Sequence, residues 1–101
     1  MKAGQYTDKM IWLKFNELTN EFDEHKEVWA YVEELSADEI IAYGRKAHVV
    51  DCLVHVRELH DIQSEDRLKD KSTNDTYDIH GVRNADHEVI CDCTRYTGTT
   101  P

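Results

Sequence analysis

Proline is almost missing from this chain: the only one is Pro101, the last residue. Glycine is scarce as well, at Gly4, Gly44, Gly81 and Gly98. Without these breakers, nothing in residues 7–70 forces an interruption of regular structure. The first residues, MKAGQYTDKM, contain no apolar h-region, so no signal peptide is expected. No apolar run reaches the roughly 18–20 residues of a membrane span. P-loop, GxGxxG, GxSxG and HExxH motifs are all missing, and so is any internal repeat. Cysteine occurs three times, at Cys52, Cys91 and Cys93. An odd count without an export signal argues for free thiols and a cytoplasmic protein, in the host cell if the source is viral.

Acidic charge is the most informative feature present. The 101 residues carry a net charge of −9, and the stretch from Asn16 to Glu39 alone contributes −8. It holds nine carboxylates against one cation, Lys26. A local negative surface is an electrostatic address for a positively charged partner. The same charge argues against direct binding to nucleic acid or to anionic membranes.

The pattern predicts one domain, residues 1–101, of α-rich α+β class. Ile11, Phe15, Leu18 and Phe22 recur at helical spacing, and Val28, Val32 and Leu35 continue it. One helix or two are therefore expected over residues 7–35. Ser36-Ala-Asp-Glu39 reads as a capping box opening a long central helix to about Ile62. The helical part is expected to occupy about 7–70. A β-hairpin is expected at about 76–97, because Tyr77, Ile79 and Gly81, then Val89, Cys91 and Cys93, alternate with other residues across the polar turn Arg83–His87.

On such a helix Glu24, Glu27, Tyr31, Glu34 and Asp38 share one side, with Glu17 and Glu21 four apart on the segment before. Carboxylates at this spacing imitate the charge density of a nucleic-acid backbone. The central helix carries a stripe, His48-x-x-Asp51-x-x-x-His55-x-x-Glu58, of residue types that ligate metals or move protons. Those four span about 15 Å of helix, so at most two adjacent ones share an ion, and hydrogen bonding along a wet helix edge is the simpler reading. His25, His60, Asp61, His80 and His87 are the other donors. Cys91-Asp-Cys93 is half of a thiolate site without a second pair.

No cofactor and no catalytic residue is expected. Size, acidity and lack of motifs are similar to those of viral and plasmid anti-defence proteins, anti-CRISPR and anti-restriction inhibitors among them. That resemblance of type implies an inhibitor or regulator of a basic, nucleic-acid-handling protein. The partner surface would be Glu17, Glu21, Glu24, Glu27, Tyr31, Glu34 and Asp38. Two other readings stand beside it: a small metal-dependent hydrolase using His48, Asp51 and His55, and a structural or assembly subunit. The helix from Ser36 to Ile62 is apolar over most of its circumference, which predicts a homodimer with Leu53 and Val56 in its seam.

Overall fold

Burial alternates with a period of two over residues 10–13, 28–31, 67–70 and 89–94, the signature of strands. A computed structural model describes residues 6–36, 50–57 and 60–97. Six strands follow in order: β1 (Asp8–Asn16), β2 (Glu21–Glu34), β3 (Cys52–Arg57), β4 (Arg67–Asp70), β5 (Thr76–Ala85) and β6 (Glu88–Tyr96). All neighbours are antiparallel, and they close a barrel in the order β1-β2-β3-β6-β5-β4.

Every second residue fills the barrel. Met10 and Trp12 enter from β1, and Val28 and Ala30 from β2. Cys52, Val54 and Val56 enter from β3, with Leu68 from β4. Tyr77 and Ile79 of β5 and Val89, Cys91 and Cys93 of β6 complete the circle, and Ile62 adds to it from the loop before β4. A barrel of this few strands has room for side chains alone. Each large apolar group buried there contributes about 1.5–3 kcal/mol.

None of the fully described turns relies on glycine or proline. Asn16 Oδ1 accepts from the amides of Leu18 (2.9 Å) and Thr19 (3.4 Å). The Asn20 amide then returns to the Asn16 carbonyl at 2.7 Å, with Asn20 at φ 60°. The β4–β5 turn repeats this device. Asp70 Oδ1 accepts from Ser72 and Thr73, and the Asn74 amide returns to the Asp70 carbonyl at 2.9 Å with φ 64°. β5 and β6 are joined by Asp86 and His87, both at positive φ (40° and 69°), as a two-residue hairpin turn requires.

The α-rich expectation is therefore corrected: the fold is all-β, and no helix occurs among the described residues. Phe15 and Phe22 meet across a hairpin rather than along a helix, with their rings 5.3 Å apart. The capping box and most of the helix it was to open, residues 37–49 and 58–59, lie outside the described residues. Of the described residues of that helix, 52–57 form β3. Its sequence is apolar without alternation because both of its faces are covered. Val56 is fully buried in the barrel, while Leu53 packs outside it with Leu35, Val50 and Ile90. One chain thus covers Leu53 and Val56, the two residues assigned to a dimer seam. The hairpin expected at about 76–97 is found as β5–β6, as two staves of the barrel rather than an appendage to helices.

Candidate interaction surface

The β1–β2 hairpin is longer than the barrel that holds it. The two strands pair from Asp8 with Ala30 to Asn16 with Glu21. β4 reaches β1 only at Met10–Leu13, and β3 reaches β2 only at Ala30–Glu34. Beyond Leu13 on one strand and before Lys26 on the other, the hairpin is an arm. Its tip carries Leu18, which is 97% exposed.

The root of the arm is anchored by a buried carboxylate. Asp66, 3% exposed, accepts from Trp12 Nε1 at 2.9 Å, from the Gln63 amide at 3.0 Å and from the Phe15 amide at 3.3 Å. A register shift between Trp12 and Leu13 leaves His25 as an extra residue in β2, and its ring meets Trp12 edge-on at 4.6 Å. Bulges of this kind bend a hairpin. Further out, the Arg67 guanidinium lies over the Phe22 ring at 4.4 Å, and Asn16 Nδ2 donates to Asp23 at 3.0 Å.

Of the seven residues assigned to one acidic face, the six described ones do not share a face. Glu17, Glu21 and Glu24 are on the arm, whereas Glu27, Tyr31 and Glu34 are on the barrel wall. Asp38 lies outside the described residues. The wall carboxylates are neutralised. Glu27 is 2.6 Å from Lys71 and 3.4 Å from Lys9, and the hydrogen bond from Lys71 holds its carboxyl below the usual range. Glu34 is gripped by both terminal nitrogens of Arg95, at 2.6 and 2.9 Å. No described cation lies within ion-pair distance of Glu21, Asp23 or Glu24 on the arm. Asp23, Leu18 and the half-exposed Trp29, with Lys9 4.7 Å from its ring, are surface features the sequence reading did not single out. The Asn16-x-x-x-Asn20 turn was the signal that could have located the tip.

The two described members of the candidate metal stripe, Asp51 and His55, do not converge. His48 and Glu58 lie outside the described residues. Asp51 accepts from the Arg95 amide at 3.1 Å. Asp51 and His55 are about 13 Å apart along the chain at strand rise. Both His55 nitrogens are already engaged, Nε2 with Glu33 at 2.8 Å and Nδ1 with Glu88 at 3.1 Å. Tyr31 stacks flat on the His55 ring at 4.4 Å, and Tyr6 donates to Glu88 at 2.5 Å. This latch holds the segment before β1 against β3 and β6. Among the described residues, no three His, Cys, Asp or Glu side chains gather as a metal site. His60 lies against Trp12 at 5.9 Å, and His80 bonds Thr94 at 2.8 Å. The cysteines face the barrel interior, where burial pushes all three thiols up, Cys91 to about 12. Thiols so far from ionisation are poor metal ligands.

Comparison with known proteins accords with an assembly role. No curated protein matches the chain. The solution structure of protein SF1141 from Shigella flexneri 2a has the same fold, with a TM-score of 0.64 at 23% identity. The match covers 92% of this chain and 95% of that one. A family model described as phage head completion protein matches residues 3–96. This match corrects the expectation of an anti-defence inhibitor with a basic, nucleic-acid-handling target. Head completion is a structural rather than an enzymatic task, and its partners are other phage assembly proteins. The structural or assembly subunit, held above as an alternative, is the reading that agrees with it. With nearly its whole length matched, the chain belongs to the phage head completion protein family.

Proposed function

We propose that this protein is a non-enzymatic structural subunit that finishes a phage head by docking on neighbouring head proteins, and that the β1–β2 arm makes the contact. One observation carries the reading: a barrel filled by its own side chains bears a hairpin that extends past its neighbours on both sides and ends in a fully exposed leucine. A filled interior directs recognition to the outer surface. A protruding hairpin with an apolar tip suits insertion between neighbouring subunits. The work would take place inside the infected cell, where heads are assembled.

The test is complementation in vitro. Heads of the encoding phage, assembled without this protein, are mixed with the purified chain. The expected result is that the protein cosediments with the heads and restores plaque formation once tails are supplied. Heads that are fully infectious without it, or heads that never retain it, would overturn the proposal.

A further inference from the structure

Among the described residues, no strand lies beside the outer edge of β2 over most of its length. Glu21–Trp29 pairs with β1 on one side, while on the other side pairing with β3 starts only at Ala30. In an antiparallel strand the N–H and C=O groups of alternate residues point to opposite sides. About half of the backbone groups of this segment therefore face outward, next to exposed side chains. Exposed edges of this length are templates for another strand, and proteins usually blunt them. Here the edge also opens onto a cleft lined by Lys26, Glu27, Val28, Trp29, Arg57 and His60.

We infer that this edge is a strand-docking site for an extended, basic segment of another head protein, a refinement that rests on the structural role proposed above. Charge selects the occupant. The wall carboxylates Glu27 and Glu34 have cations of their own, but Glu21, Asp23 and Glu24 on the arm have none among the described residues. A second copy laid antiparallel along the same edge would bring acid against acid, and like charges opposite each other weaken strand pairing. A strand with Lys or Arg beside Glu21–Glu24 gains cross-strand ion pairs instead. Toward the barrel wall, Trp29, 43% exposed, offers an apolar seat for one uncharged side chain of the incoming strand. Main-chain hydrogen bonds would then supply the affinity, and the acidic pattern the choice of partner.

Amide exchange on the parent protein, free and bound to heads assembled without it, tests this directly. In the free chain the amides of Glu21–Trp29 are expected to alternate between slow and fast exchange, and on the heads the fast set becomes slow. The variant E21K/D23K/E24K should keep the fold and bind the heads about tenfold more weakly or worse, and parent binding should weaken as salt rises. Three results would overturn the site. The fast set is already protected in the free monomer; it becomes protected simply on raising the concentration of the chain, so that a second copy takes the edge; or the triple variant binds heads like the parent. A triple variant that restores infectivity in full sinks the docking site and leaves the structural role standing. A parent that never restores infectivity sinks that role itself. Should the triple variant fail to fold, the exchange pattern of the parent still decides.

Discussion

The Tyr6 hydroxyl donates to Glu88 Oε1 at 2.5 Å across 82 residues of sequence. Glu88 Oε2 stands 3.1 Å from His55 Nδ1, so a single buried carboxylate joins the segment before β1 to both β3 and β6. Removing the hydroxyl strands one oxygen of that carboxylate. Tyr6→Phe is therefore expected to destabilise the fold by about 1.5–3 kcal/mol, the usual range for a bond to a charged acceptor. Urea unfolding of the two proteins checks it. Equal midpoints would show that the latch contributes nothing.

The same burial sets an alkaline limit. Burial, then the bond to Glu88, raises Tyr6 above its ordinary value of 10, and burial raises Tyr77 to about 12. Unfolded tyrosines lose their protons near 10, while the folded ones keep theirs. Above that pH the native chain binds more protons than the unfolded one, so stability falls as pH rises. Stability should be level below pH 10 with respect to these groups and decline between about 10 and 12. Phenolate absorbance and near-ultraviolet circular dichroism should change together. Tyrosine ionisation complete at pH 10 with native dichroism intact would contradict this.

Cys52, Cys91 and Cys93 are buried and free, and their thiols are all pushed up by burial. The thiolate is the reactive form. At a pH of about 8 a disulfide reagent should leave all three untouched in the native chain and label them all after denaturation. Rapid labelling of any one before unfolding would place that thiol outside the barrel.

Asn20 and Asn74 occupy left-handed backbone without being glycine. Alanine tolerates that conformation poorly, so Asn20→Ala and Asn74→Ala should each cost about 1–2 kcal/mol, whereas glycine at either position should be close to neutral. Asp70→Ala should cost about 1 kcal/mol, because the Ser72 and Thr73 amides lose their acceptor. Thermal unfolding of the five variants separates backbone strain from lost hydrogen bonds. If Asn20→Gly proved as damaging as Asn20→Ala, the side chain rather than φ would be at work.

β5 and β6 were legible because Tyr77 and Ile79, then Val89, Cys91 and Cys93, alternate on either side of a polar turn, although a bulge at His80 brings Val82 rather than Gly81 onto the core. β1 and β2 were not. Asn16 and Asn20 turn the chain without glycine, and Leu18 at the tip extends the spacing of Ile11 and Phe15 into an apparent helix. β2 gave no alternation over Glu21–Glu27 because the arm is wet on both faces. β3 gave none because both of its faces are covered, one by the barrel interior and the other by Leu35, Tyr31 and Ile90.

By itself the sequence determined what depends on neighbours a few residues apart: the Asx turns at Asn16 and Asp70, the β5–β6 hairpin and the concentration of acid between Asn16 and Glu39. Only the tertiary structure decided which of those acids have a cation beside them. Glu27 meets Lys71 across 44 residues and Glu34 meets Arg95 across 61, while the arm that carries Glu21, Asp23 and Glu24 leaves the barrel before any described cation can reach them. Closure of the barrel between β1 and β4 settles those distances, and a ladder joining Met10 to Asp70 leaves no local trace in the chain. Side-chain periodicity reports one neighbour shell at a time, and here the second shell came from the far end of the protein.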